Sequence, residues 1–333
     1  MMRSLLFVPG DSPRKFAKAT GTAADALALD LEDSVAAPAK AEARATVAQM
    51  LQADRAGKQL IVRVNAFDNA LILADLAAVM PHAPDGIMLP KARGGADIAE
   101  LGHYLSAFET AFGLTEGATW IVAVATETGE AVLGLPSYTP AHPRLKGLMW
   151  GAEDLSASLG AMSNRDGVAY SGPSLLARDL CLMAAASVGV TAIYTVCTTV
   201  GDLDYVSAES RAARRDGFAV KAVIHPSHID PVNAAFTPSE AEVVWAQTVL
   251  RAFAENPGLG VVQIDDKMID KPHERAARKI MAVAGRDRVA NDRRNHQRYC
   301  GLGDHGGHHR VRLQFSGAGR GGYLHGIHAA AGT

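Results

Sequence analysis

Eight short runs of apolar, often β-branched residues recur along this chain, at residues 5–8, 26–31, 60–64, 86–89, 120–125, 145–150, 191–196 and 219–224. Most are nearly continuous rather than alternating, the pattern of parallel strands buried on both faces. Between them lie helix-period segments rich in alanine and leucine, such as 39–51, 71–79, 98–112 and 174–187. A further segment, 239–254, has Pro238-Ser239 as its start signal and Asn256-Pro257-Gly258 as its stop. Eight strand–helix units in about 255 residues match the usual size of an α/β (β/α)8 barrel, the TIM barrel. The competing architecture is a doubly wound open sheet, which normally carries a glycine-rich phosphate turn after its first strand. Val8-Pro9-Gly10-Asp11-Ser12 is not that fingerprint.

Composition narrows the function classes. A chain of 333 residues that is 48% hydrophobic has material for a sizeable core, and 20% charged residues with a net charge of −2 exclude a wholly disordered chain. There is no global basic field for nucleic acid. Cys181, Cys197 and Cys300 have no paired C-x-x-C spacing, so neither a disulfide scaffold nor a zinc knuckle is expected, and a reducing cytoplasm fits. The first apolar run stops at Pro9-Gly10, too early for a secretory signal. The stretch 180–197 is interrupted by Ser187, Gly189 and Thr191, whereas a spanning helix needs ~20 mostly apolar residues. The expectation is a soluble, cytoplasmic protein that binds neither membrane nor nucleic acid.

The last 48 residues differ from the rest. Residues 286–333 hold eight arginines, no lysine, three acidic residues, ten glycines and six of the twelve histidines. Their charge is 8 − 3 = +5, which leaves 25 − 32 = −7 for residues 1–285. No helix or strand period survives there, and the segment is expected to be poorly ordered or non-native. His305, His308 and His309 have the character of a metal-binding tract, but a solvated extension is the simpler reading.

In a barrel of this kind catalytic groups sit where the strands end. The ends here carry Glu32 and Asp33 after the second run, Arg63 and Asn65 after the third, and Lys91 after the fourth. Glu127 follows the fifth, Glu153 and Asp154 the sixth, and His225 the eighth. One such charge could be a structural ion pair; polar groups on six of eight strand ends point to a shared solvent-facing site. Several carboxylates beside one arginine suit magnesium or manganese, which take oxygen ligands. A hard cation with an arginine suits a 2-oxo acid: the metal polarises it while the guanidinium stabilises developing oxyanion charge.

These motifs resemble the citrate lyase beta-subunit-like group of the HpcH/HpaI aldolase superfamily, which also contains malyl-CoA and citramalyl-CoA lyases. The matching pieces are Arg3-Ser4-Leu5-Leu6-Phe7-Val8-Pro9-Gly10 and Leu29-Asp30-Leu31-Glu32-Asp33-Ser34-Val35, then Lys40 and Arg44. They continue through Val62-Arg63-Val64-Asn65, Met88-Leu89-Pro90-Lys91-Ala92, Glu127-Thr128, Gly151-Ala152-Glu153-Asp154-Leu155 and Ile224-His225-Pro226. Each piece is short; their order and strand-end placement carry the resemblance, over roughly residues 2–284.

The resemblance implies that Glu127 and Asp154 bind Mg2+ (or Mn2+), with Glu127 also against the substrate, and that Arg63 meets the substrate carboxylate or carbonyl. Glu32 and Asp33 would orient waters on the metal and tune the arginine; read from the residues alone, they could equally form a salt bridge with Arg63 or Lys91. Arg14 and Lys18 resemble the basic residues that meet coenzyme A, an ordinary solvated helix face being the competing reading. His225 would line the site, more as a hydrogen-bonded structural group than as a proton shuttle. Met268-Ile269-Asp270 resembles a C-terminal lid motif that brings an acidic residue over a neighbouring subunit's site, which makes Asp270 an acid/base residue in trans. By residue type alone Asp270 before Lys271-Pro272 is a helix start.

The implied organisation is a catalytic barrel over 1–258, a lid over 259–285 and the tail, in a homo-oligomer (trimer or hexamer). The implied reaction is Mg-dependent cleavage of a 3-hydroxyacyl thioester to an acetyl thioester and a 2-oxo acid. Coenzyme A thioesters suit a stand-alone chain; acyl-carrier-protein thioesters and partner subunits would go with a citrate lyase complex. Two other readings stand: a metal-dependent pyruvate aldolase that uses no thioester, and an inactive scaffold or assembly subunit. The seventh run has Tyr194 where relatives often have aspartate, so the choice among glyoxylate, pyruvate and oxaloacetate is left open.

Overall fold

The computed structural model describes residues 2–300, with side chains described for 2–285. Its elements run β1 (Ser4–Pro9), α1 (Pro13–Thr20), β2 (Ala26–Asp30), α2 (Lys40–Gln52), β3 (Gln59–Arg63), α3 (Ile72–Val79), β4 (Gly86–Leu89) and α4 (Gly95–Ala111). There follow β5 (Trp120–Val124), α5 (Gly129–Gly134), β6 (Leu145–Met149), α6 (Glu153–Ser158), a small hairpin β7 (Arg165–Asp166) and β8 (Ala169–Tyr170), and α7 (Gly172–Val188). The sequence continues through β9 (Thr191–Tyr194), α8 (Leu203–Asp216), β10 (Val220–Val223), α9 (Ile229–Phe236), α10 (Glu240–Glu255), β11 (Val261–Ile264), β12 (Lys267–Asp270) and α11 (Lys271–Cys300).

Eight of the strands close into a barrel in the order β1-β10-β9-β6-β5-β4-β3-β2. Every neighbouring pair is parallel, and β1 closes the ring by pairing Ser4 with Lys221 and Leu5 with Ala222 of β10. All eight expected runs became barrel strands, each boundary falling within two residues of expectation.

The apolar runs are continuous because each strand serves two cores. Leu5, Ala28, Ile61, Met88, Val122, Met149 and Ile193 fill the barrel interior. The residues between them, such as Leu6, Leu29, Val62, Leu89 and Leu148, meet the surrounding helices. The interior is thus packed with side chains rather than open, and only the strand ends face solvent.

Helix α10 follows its start signal closely. Ser239 accepts from the backbone N–H of Glu242, and the Glu242 carboxylate accepts from the N–H of Ser239. This capping box satisfies two donors that the first turn leaves open. Beyond it, β11 and β12 form an antiparallel hairpin, and Val262, Ile269 and Ala277 pack on Ala246, Val249 and Phe253 of α10. Among the described residues no helix is long and apolar enough to cross a membrane. The chain divides after Arg286; of the tail expected over 286–333, residues 286–300 continue α11, whose period the sequence did not show, and 301–333, including His305, His308 and His309, lie outside the described residues.

Candidate active site

At the ends of the strands lies a cavity of about 670 Å3 lined by Arg63, Glu127 and Asp154, together with Arg14, Lys18, Asp33 and His225. These side chains come from five strand ends and from α1, so the closed barrel, not proximity in sequence, gathers them. Gly151, after β6, is needed for this: a Cβ there would lie 2.7 Å from Cγ of Glu127.

Asp30, the last residue of β2, organises the floor. It is 1% exposed and takes the Arg63 guanidinium in a fork, with Nε and Nη2 each 2.7 Å from its carboxylate oxygens. It also accepts from the backbone N–H groups of Glu32 (2.9 Å) and Ser34 (3.2 Å). Burial works against its ionisation, but the Arg63 fork and these N–H groups hold its pKa below the usual carboxylate range. Asp30 stands in the motif quoted above, yet a carboxylate on the buried end of an apolar run gave no signal of its own.

Glu32 is in the salt bridge that was one of its two readings. It lies 2.9 Å from Nη1 of Arg63 and also pairs with the Lys91 ammonium. The first contact is poorly angled for a hydrogen bond, so it acts through charge. Asp33 is exposed, lines the cavity, and sits 3.9 Å from Arg63 and 3.8 Å from Lys91. Two of the five guanidinium N–H donors of Arg63 are bonded to Asp30, while Nη1 faces Glu32 without a hydrogen bond, so three donors remain. Its plane lies 4.9 Å from the centre of the Phe7 ring, and it lines the cavity.

Glu127 is buried, 3% exposed, and receives the backbone N–H of Lys91 at 2.5 Å. Lys91 has φ 52, a left-handed conformation that costs a side-chain-bearing residue ~1–2 kcal/mol. Burial, then the nearby Glu32 and Asp154 carboxylates, push the Glu127 carboxyl up to about 8.

Such crowding of like charge is what a bound cation relieves. Among the described residues no cluster of three or more His, Cys, Asp or Glu side chains is arranged as a complete metal cage. Two carboxylates facing a water-accessible cavity are nevertheless a donor set that suits magnesium, which keeps several waters and uses one or two carboxylates.

The other expected groups are spread between site and scaffold. Asn65 is buried and bonded to Asp75 and to the Leu31 carbonyl, and Arg44 holds the same Asp75 at 2.7 Å, so both brace the wall. Lys40 donates to the carbonyls of Leu31 and Glu32, fixing the turn after β2. Glu153 lines the cavity and accepts from Asn164 at 2.9 Å. His225 is exposed, its Nδ1 2.6 Å from Oγ of Ser227.

On α1, Arg14 and Lys18 line the cavity together with Lys15, which sequence reasoning did not single out. All three are exposed, and none has a side-chain hydrogen bond or ion pair among the described residues. Asp270 ends β12, is half exposed, and bonds Nδ1 of His273 at 2.5 Å; it does not line the cavity of its own chain. That bond holds its pKa below the usual carboxylate range.

Known proteins resemble this chain in sequence and fold. The HpcH/HpaI aldolase/citrate lyase family model matches residues 3–226. The chain is 35% identical over 285 residues to a (3S)-malyl-CoA thioesterase of Cereibacter sphaeroides, covering 85% of this chain and 94% of that protein. It is 31% identical over 299 residues to citrate lyase subunit beta of Leuconostoc mesenteroides subsp. cremoris, covering 89% and 97%. Among solved structures, the protein CitE of Mycobacterium tuberculosis in complex with magnesium, acetoacetate and coenzyme A superposes with a TM-score of 0.69 at 32% identity, covering 85% of this chain and 97% of that one. A citrate lyase beta subunit from the same organism, complexed with oxaloacetate and magnesium, gives 0.61 at 34%, covering 71% and 97%. The chain belongs to the HpcH/HpaI aldolase/citrate lyase family.

Proposed function

We propose that this chain is a magnesium-dependent carbon–carbon lyase that cleaves a 3-hydroxyacyl thioester of the malyl-, citramalyl- or citryl-CoA type into an acetyl thioester and a 2-oxo acid. The observation that carries this is one cavity joining a braced arginine, a crowded pair of carboxylates and three cations without partners. Glu127 and Asp154 are the proposed holders of the cation, which when bound supplies Lewis-acid polarisation of the 2-oxo acid oxygens. Arg63, its other edge fixed by Asp30, points its remaining N–H donors at the oxyanion that develops. Glu32 and Asp33 keep Arg63 and Lys91 in place and order water beside the carboxylates. Arg14, Lys15 and Lys18 meet the phosphates of coenzyme A, a role that suits flexible cations at the cavity wall.

In the reaction a base takes the hydroxyl proton, and the freed electron pair forms the new carbonyl as the carbon–carbon bond breaks. The bonding pair stays on the α-carbon of the acetyl thioester, which then takes a proton. Asp270 from a second copy of the chain is the proposed acid/base residue, within an oligomer whose lids close in trans. A positioned acid/base contributes ~10²–10⁴-fold.

A second reading is hydrolysis, favoured by the name of the Cereibacter sphaeroides relative. Purified protein with Mg2+ and a panel of malyl-, citramalyl- and citryl-CoA separates the two. The lyase releases a free 2-oxo acid and acetyl-CoA; a thioesterase releases free coenzyme A and leaves the hydroxy acid whole. No product from any thioester, with activity on pyruvate aldols, would overturn both in favour of an aldolase.

A further inference from the structure

The connection after β6 carries Asp154 on the short helix α6 and then the β7–β8 hairpin. Short helices on long loops are poor platforms for a ligand unless something outside the loop holds them. Here the side chain of Arg165 ties the hairpin to α8. Arg165 donates to the Val168 carbonyl (2.9 Å), to the Tyr205 hydroxyl (2.5 Å) and to Glu209 (3.1 Å), and its guanidinium lies 3.7 Å from the centre of the Tyr170 ring.

The anchor reaches deeper. Glu209 also pairs at 2.8 Å with Lys221, a lysine of β10 with no exposed surface, whose ammonium donates to the Thr195 carbonyl at 2.9 Å. Thr195 lines the active-site cavity. On the other side, Tyr170 packs edge-on against Trp150, the residue before Gly151, at 4.9 Å. Asn164, directly before Arg165, gives its side-chain N–H to Glu153, the neighbour of Asp154.

We propose that Arg165 and Asn164 are positioning residues for the cation site: Arg165 locks the hairpin onto α8 and β10, and Asn164 then fixes Glu153 so that the first turn of α6 presents Asp154 to the cavity. This rests on the reading that Glu127 and Asp154 hold the cation. Groups that orient ligands in this way are typically worth 10–100-fold in metal affinity or activity.

The test is Mg2+ titration calorimetry on wild type, Asn164→Ala and Arg165→Lys, with Glu127→Gln and Asp154→Asn as controls and thermal melting alongside. Arg165→Lys keeps the charge facing Glu209 while losing the fork, which protects against simple unfolding. The expected result is Mg2+ affinity lowered ~10-fold in both variants, with KM for the thioester unchanged and melting shifted little in Asn164→Ala. Wild-type affinity in Asn164→Ala, while the two controls abolish binding, overturns the positioning proposal and leaves the cation site standing. If the controls bind Mg2+ as wild type does, the cation site is wrong and this proposal goes with it.

Discussion

Replacing Glu127 by glutamine exchanges a buried titratable carboxyl for an uncharged amide of the same shape, and the structure says what that does to stability. The Glu127 carboxyl is pushed up to about 8 by burial and by the Glu32 and Asp154 carboxylates, from a reference of 4.5. A folded pKa above the unfolded one means the native state holds a proton that the unfolded chain has lost. Stability therefore falls as pH rises from about 4.5 to about 8, and the loss is complete above that. At about 1.4 kcal/mol per pH unit, the span amounts to at most about 5 kcal/mol.

Glutamine does not titrate, so Glu127→Gln avoids this loss. In the presence of a chelator, urea denaturation at pH 5.5 and at pH 9 should show the variant gaining on wild type by a few kcal/mol across that interval. Saturating Mg2+ should reverse the order at pH 9, because binding to the native state stabilises wild type alone. A difference between the two proteins that stays constant from pH 5.5 to pH 9 would refute the reasoning, since it would mean that the carboxylate does not feel its neighbours.

Asp30→Asn should cost ~3 kcal/mol in urea denaturation, because it leaves the buried Arg63 without its hydrogen-bonded counter-charge, and kcat should fall with it. Lys91→Gly should be more stable than Lys91→Ala by ~1 kcal/mol in the same assay, as both lose the ammonium but only alanine keeps the strained φ. Arg14→Ala and Lys18→Ala should raise KM for the coenzyme A thioester several-fold at low salt, leave kcat in place, and lose this effect as ionic strength rises. Asp270→Asn should lose most turnover with Mg2+ affinity intact, and mixing it with Arg63→Ala should restore part of the activity if the lid acts in trans. Mixed oligomers as inactive as either parent would count against a lid shared between subunits.

The sequence by itself determined the barrel and the rim where chemistry sits. Strands buried on both faces must be apolar at consecutive positions, so 26–31 and 120–125 stand out without reference to any partner. Charges placed just past such runs, as at Glu127 and Asp154, can only be at strand ends. The start of α10 at Pro238-Ser239 was legible too, since a helix start is marked by residues next to it in sequence.

Only the tertiary structure decided who meets whom. Asp30 claims one edge of Arg63, 33 residues away, and so sets which donors remain for a substrate. Lys91 turns left-handed to aim a backbone N–H at Glu127, and Lys221 enters the wall to hold Glu209 and, through it, Arg165. These pairings depend on register and closure of the ring, which fix distances between residues far apart in sequence. A local pattern of residue types carries no record of them.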